Sequence, residues 1–393
     1  MAMRTALRGQ NFRKRSLLPP SRPVLSLSAM WKGSAAPASQ SASKTPSPKE
    51  GEQNSDNKAP ATSTEKPPQN MQEQKLPVSF EDVSKAMHRI RGGIARSDVR
   101  KSHFLSELCG MEVFLKLEFN HFTGSFKERG ARNALMCLKE KERQKGVIAA
   151  SAGNHALALA WHGTQLGVPV TVIMPTIAPL TKVNKCKDFG VNVVQHGMHI
   201  LEAKEHAISA QQFQGMRYVN GYDDVEIIAG AGTVGMEILE QVPDVDYIVV
   251  PVGGAGLIAG IALAAKTLQS DVKVVGVEPH FCASLTAALK AGKPVKAETT
   301  ATLADGLAVP TVGSNAFEVS RSLVDGVELV SEKLIALAVL RLLEMEKYVV
   351  EGGGATGLAG ILPGVPWTCL LSKARRSWCP SAAATSTCRS WDG

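Results

Sequence analysis

Residues 147–156 read V-I-A-A-S-A-G-N-H-A. An uncharged apolar run passes through Ser-Ala-Gly into a segment with helical spacing. A run that is apolar on both faces suits a strand inside a parallel sheet, because a half-exposed strand would alternate. A glycine between strand and helix allows a tight turn that leaves the first backbone N–H groups of the helix free. Such a nest suits a carboxylate or phosphate, and Asn154 adds an amide donor beside it. Alone, the segment reads more often as an ordinary βα turn in which Asn154 and His155 only cap.

The same alternation recurs outward from it. Short β-rich runs predict strands over 147–151, 170–175, 192–195, 247–252, 272–278, 326–330 and 348–350. Helical periods lie between them over 129–142, 200–214, 257–268 and 332–344. Strands separated by helices predict an α/β fold whose parallel sheets are covered by helices. No internal repeat is found.

Two further segments carry chemistry. H-F-T-G-S-F-K-E-R-G-A, residues 121–131, puts Lys127 after a turn-prone Thr-Gly-Ser, with a helix opening near Glu128. A helix N-terminus and neighbouring cations disfavour an ammonium, and the neutral amine is the form that condenses with an aldehyde. Read alone, a lysine there is more often a solvated surface residue. P-V-G-G-A-G-L-I-A-G, residues 251–260, is again a strand running into a helix, with glycines that admit a phosphate close to the backbone. It lacks the G-K-[ST] ending of a triphosphate loop. Gly230, Gly232 and Gly235 match G-x-G-x-x-G, but 223–229 reads as a helix start rather than a strand. No ribose-binding acid follows, so a nicotinamide site is not expected.

In this order and at these separations, G-S-F-K-E-R-G-A, S-A-G-N-H-A and V-G-G-A-G-L resemble the fold-type II pyridoxal-phosphate enzymes, specifically the threonine/serine dehydratase family. The resemblance runs from about Val78 to Gly364. It implies two lobes, each with a mainly parallel, helix-covered sheet. The large lobe would take 78–145 and 224–364, and the small lobe 146–223.

The resemblance also implies roles. Lys127 would be the catalytic lysine that carries pyridoxal 5′-phosphate, with Phe126 packed on the pyridine ring. Asn154 would meet the cofactor's 3′-oxygen, and Glu351, in V-V-E-G-G-G-A, would lie near the pyridine edge. Gly253, Gly254, Ala255, Gly256 and Leu257 would cradle the phosphate; Ala255 departs from the family by one methyl. Ser151, Ala152, Gly153, Asn154 and His155 would hold the carboxylate of an amino-acid substrate. The implied reaction is loss of water from L-threonine or L-serine, giving 2-oxobutyrate or pyruvate and ammonia.

Serine racemase relatives carry a hydroxyl where this chain has Ala152, which cannot exchange a proton, so elimination is favoured over racemisation. A catalytically dead homologue is the remaining alternative. Metal-binding relatives use an acid at the place of Glu278 and a second about six residues on, where this chain has Ser284; no metal is expected. By the same resemblance the protein is expected to be a homo-oligomer.

The ends differ from the body. Residues 1–77 are rich in Ser, Pro, Ala, Gln and Lys without periodicity and are expected to be disordered. Arginines precede the first acid, Glu50, as in a mitochondrial transit peptide; an untargeted, cytoplasmic leader is the other reading. Residues 365–393 lose the α/β pattern and lack the S/C-G-G-N segment that the family places opposite the pyridine nitrogen. Codons for 375–393 can be chosen so that a one-base shift reads K-E-V-V-V-P-L-C-G-G-N, and we expect this tail to be out of frame.

The formal net charge is +8, yet residues 78–362 hold 28 basic against 30 acidic side chains. The basic excess sits in the ends, so no nucleic-acid footprint is expected. No stretch approaches the roughly 18 apolar residues of a membrane span. Seven scattered cysteines with no C-x-x-C pair point to reduced thiols in an intracellular protein.

Overall fold

The computed structural model describes residues 76–365. The leader and tail, with the expectations of disorder, targeting and an altered reading frame, lie outside the described residues. The chain opens with α1 (Phe80–Ile90), capped by Ser79 and Asp82 in a reciprocal capping box. Next come β1 (Val99–Ser102), α2 (His103–Cys109) and β2 (Val113–Lys116). β1 and β2 form an antiparallel pair that sequence reading did not anticipate.

The segment after β2 turns through a short 3-10 turn and the 121–126 loop into α3 (Lys127–Met136) and α4 (Glu140–Lys145). One helix was expected over 129–142; two form, separated at Cys137–Lys139. The first parallel sheet follows: β3 (Val147–Ala150), α5 (Asn154–Leu166), β4 (Val170–Met174), α6 (Leu180–Asp188), β5 (Asn192–Gln195), α7 (Ile200–Gln214) and β6 (Arg217–Tyr218). Its order is β5-β4-β3-β6, all parallel, with Val147 opposite Val170 and Thr171 opposite Asn192.

The second sheet is built from α8 (Val225–Gln241), β7 (Tyr247–Pro251), α9 (Gly256–Leu268), β8 (Lys273–Pro279), α10 (Ser284–Ala291), α11 (Ser314–Leu323) and β9 (Gly326–Val330). Its order among the described residues is β7-β8-β9, again parallel. α12 (Glu332–Arg341) runs on into one π-helical turn, Leu342–Glu346, and α13 (Gly352–Ala359) closes the described chain. Parallel sheets covered by helices are the expected α/β class.

One predicted strand is absent. Residues 348–350 form no strand; Lys347 turns left-handed at φ 62° and the segment leads directly into α13. Val350 packs against the helix cluster that includes Leu342 and Leu358 and Tyr348 against Phe119, while Val349 is exposed, so the β-prone residue types mark no sheet here.

G-x-G-x-x-G lies inside α8 and serves packing. A Cβ on Gly230 would fall 2.6 Å from Gly130 Cα, and one on Gly232 would fall 2.9 Å from Gly260 O. α3, α8 and α9 therefore approach backbone to backbone, a closeness that only glycine permits. Beside this crossing, the fully buried Arg129 guanidinium is ringed by acids. Its Nε and Nη2 donate to Glu118 at 2.8 and 2.9 Å, and its Nη1 and Nη2 each donate to Glu237 at 2.7 Å. Every charge there is paired, which burial demands. α3 is thus held firmly just behind Lys127.

Candidate active site

The 121–126 loop turns through Gly124, whose φ of 83° is a left-handed conformation that suits glycine. Lys127 then opens α3. Its Nζ donates to the Gly221 carbonyl at 2.6 Å and lies 5.1 Å from the centroid of the Phe126 ring. Burial lowers its pKa from 10.5 to about 8. The expectation that neighbouring cations would do this is corrected: removal from water is the cause, since the charged form loses its hydration and gains no carboxylate.

β3 delivers the turn Ser151–Gly153 and the start of α5. The Ser151 hydroxyl accepts from Gly153 N at 3.2 Å and shapes the turn. The first N–H groups of α5 have no partner within the helix. Asn154 Nδ2 donates to Glu351 Oε1 at 2.6 Å, so the start of α5 meets the N-cap of α13. His155 is buried, with Nε2 3.2 Å from Val219 O and Nδ1 without a partner among the described residues. Burial, reinforced by the Lys127 charge, pushes its pKa down to about 3. A neutral ring that donates through Nε2 offers a lone pair at Nδ1. Any grip of His155 on a carboxylate would therefore come from its backbone N–H.

β7 delivers the third part. A Cβ on Gly254 would fall 2.3 Å from Tyr222 Cγ, and one on Gly256 would fall 2.1 Å from Tyr222 O. Both positions need glycine for Tyr222 to lie against the loop. Ala255 caps α9 at φ 68°, a left-handed conformation that costs a non-glycine residue about 1–2 kcal/mol. The thirteen-residue α9 points its N-terminus, with its partial positive charge, at this loop.

All thirteen residues singled out from the sequence line one cavity of about 1940 Å³: Phe126, Lys127, Ser151, Ala152, Gly153, Asn154, His155, Gly253, Gly254, Ala255, Gly256, Leu257 and Glu351. Sequence reading missed Gly221, Tyr222 and Leu307, which line the same space. Gly221 and Tyr222 sit in a loop, for which the turn-rich V-N-G-Y-D-D was the one signal, and Leu307 ends the 3-10 turn Asp305–Leu307, for which there was none. Glu278, a metal candidate only by resemblance, instead caps α10, accepting Leu285 N at 2.6 Å and Thr286 N at 3.0 Å. Among the described residues no group of three or more His, Cys, Asp or Glu could hold a metal ion.

A buried amine near its titration point, an unpartnered ring nitrogen and a small-residue loop at a helix N-terminus fit a phosphorylated aldehyde. The family model for "Pyridoxal-phosphate dependent enzyme" matches residues 90–365. The chain belongs to this family of pyridoxal-phosphate-dependent enzymes. Its cofactor is pyridoxal 5′-phosphate.

Among family members, an L-threonine ammonia-lyase of Thermotoga maritima is 43% identical over 285 residues, 72% of this chain and 71% of that one. A catabolic L-threonine dehydratase of Escherichia coli is 40% identical over 289 residues, 74% of this chain and 88% of that one. Among solved structures, maize serine racemase superposes with a TM-score of 0.71 at 33% identity, covering 73% of this chain and 87% of that one. Processed threonine deaminase isoform 2 from Solanum lycopersicum gives 0.69 at 35% identity, covering 72% and 81%. The described part of this family member holds no helix long and apolar enough to cross a membrane.

Proposed function

We propose that the chain is a threonine dehydratase, an ammonia-lyase that removes water from L-threonine, and from L-serine, to give 2-oxobutyrate or pyruvate and ammonia. The observation that carries this is the Lys127 amine, brought by burial to a pKa of about 8, in the same cavity as an anion cradle and a helix-start nest. When bound, pyridoxal phosphate supplies the electron sink for charge left at Cα.

The chain's own residues do the rest. Lys127 Nζ would hold the cofactor and, as a free neutral amine, would take the α-proton, since burial keeps it neutral often enough to act as a base. Gly253, Gly254, Ala255, Gly256 and the α9 N-terminus would hold the phosphate, with Leu257 beside it. Phe126 would pack on the ring and Asn154, which Glu351 orients, would donate to the ring oxygen. The backbone at Ser151–His155 holds the substrate carboxylate. In this reading the strands from β3 to β6 belong to the small lobe and the remainder to the large one, and the enzyme assembles as a homo-oligomer.

Racemisation is the second reading, favoured by the likeness to maize serine racemase. It needs a second proton donor on the opposite face of the substrate, and Ala152 offers none. The test is purified protein with pyridoxal phosphate and L-threonine, following 2-oxobutyrate, and then L-serine with chiral analysis. Elimination predicts keto acid without D-serine. D-serine in excess of pyruvate contradicts it.

A further inference from the structure

We propose that His162 is a positioning residue: through Glu128 it locks the loop that leads into Lys127 onto α5, the helix that begins with Asn154 and His155. Its effect on turnover rests on the functional reading above; the lock itself rests on geometry alone.

Glu128 is buried beside Lys127, and its two carboxylate oxygens go to different elements. Oε1 accepts the backbone N–H of Thr123, in the loop before Lys127. Oε2 lies 3.0 Å from Nε2 of His162, which is itself buried in α5. The other ring nitrogen, Nδ1, is 3.5 Å from Nη1 of Arg132, a group that only donates. Nδ1 therefore accepts, and Nε2–H donates to Glu128.

A second grip lies alongside. Phe122 stacks on Trp161 with ring centroids 3.8 Å apart and planes 18° apart. Consecutive residues of α5, Trp161 and His162, thus hold consecutive residues of the loop, Phe122 and Thr123. One contact is aromatic and exposed, and the other is polar and buried. His155 and His162 are seven residues apart, two turns along one face of α5, so any rotation that follows His162 also moves His155.

The loop's other hydrogen bonds are local, with His121 Nε2 3.1 Å from Glu118 Oε2 and the Gly124 N–H donating to His121 O at 2.9 Å, so the two grips above are what tie it to α5. The Thr123 N–H belongs to no strand or helix, and a buried amide needs an acceptor. Releasing Glu128 from His162 strands a buried carboxylate and frees the loop four residues before the reacting amine. Displacements of about 1 Å at such distances cost about 100-fold in rate.

The test reads motion before activity. In the cofactor-free protein, hydrogen exchange of amides 121–127 is expected to be about tenfold faster in His162→Ala, with α12 unchanged. His162→Gln, whose side-chain N–H can reach Glu128, is expected to stay within about threefold of the wild type. With pyridoxal phosphate and L-threonine, His162→Ala should lose about 10–100-fold in kcat per bound cofactor while KM changes little. His162→Gln should recover most of that loss. Ile335→Ala, which empties core volume under α12, should slow neither the exchange protection of the loop nor kcat.

Unchanged loop exchange in His162→Ala overturns the proposal. So does a His162→Gln as damaged as the alanine variant, or an equal loss in Ile335→Ala. If His162→Ala does not fold, Glu128→Gln offers one acceptor to two donors, and loop exchange at the wild-type rate there overturns it as well. A wild type that exchanges as expected but makes no 2-oxobutyrate contradicts the functional reading and leaves the lock standing.

Discussion

Lys127 trades water for a single carbonyl, that of Gly221, and its charged form loses more by the trade than its neutral form. With the amine titrating near pH 8 instead of 10.5, capture of pyridoxal phosphate by cofactor-free protein should accelerate with pH and level off just above 8. Stopped-flow absorbance measures this; a rate still climbing tenfold per unit at pH 10 would contradict it. Stability should follow the same group. Between pH 8 and 10.5 the unfolded chain keeps a proton that the folded chain has released, so Lys127 makes stability rise with pH across that window.

Ala255 is a second residue whose conformation has a cost. At φ 68° its Cβ is strained, and glycine would relieve this at some expense in unfolded-state entropy. Ala255→Gly should therefore stabilise the protein by about 1 kcal/mol, read as a higher urea midpoint at constant m-value. From the sequence this alanine reads as one added methyl. The left-handed backbone beneath it could not be read, because conformation there is set by how β7 meets α9.

At the scale of elements, the strand–turn–helix units were legible because each carries its own period and its own glycine. 192–195 and 326–330 are strands at the predicted limits. Residues 348–350 misled because Tyr-Val-Val is β-prone by residue type, yet Val349 is exposed and only Val350 packs against the helix cluster, so no sheet receives the run. The β1–β2 pair was missed for the opposite reason: V-R-K-S has no apolar alternation to reveal it.

The glycines of α8 show how one motif can be read for two purposes. Gly230→Ala gains about 1 kcal/mol of helix propensity, but its Cβ would stand 2.6 Å from the Gly130 backbone. Neither backbone can yield without parting α3 from α8, so overpacking of about 1–3 kcal/mol wins or at least cancels the gain. The urea midpoint should not rise, and cofactor affinity should fall, because α3 begins at Lys127. A clear rise in stability with unchanged cofactor binding would show that the helices do not pack as closely as described.

Across the whole molecule, the site joins elements far apart in sequence. The 121–126 loop, the start of α5, the 219–224 loop, the β7–α9 turn and the N-cap of α13 all reach one cavity. The sequence named four of these five, three through glycines and chemically active residues and the N-cap of α13 through the resemblance that singled out Glu351. Gly221 and Tyr222 were not legible, since what they do depends on Lys127 and Gly254 arriving from elsewhere in the chain. Nor was the Thr123–Glu128–His162 lock, whose members look like ordinary polar residues of a loop and two helices.

The fold therefore makes a reactive amine by burial and surrounds it with groups that bind but do not react. Reduction of the protein with borohydride in the presence of pyridoxal phosphate, followed by peptide mass spectrometry, tests this most directly. The expected result is one covalent phosphopyridoxyl adduct, on Lys127, and none in Lys127→Ala. An adduct that persists in that variant, or that sits on another lysine in the wild type, would contradict it.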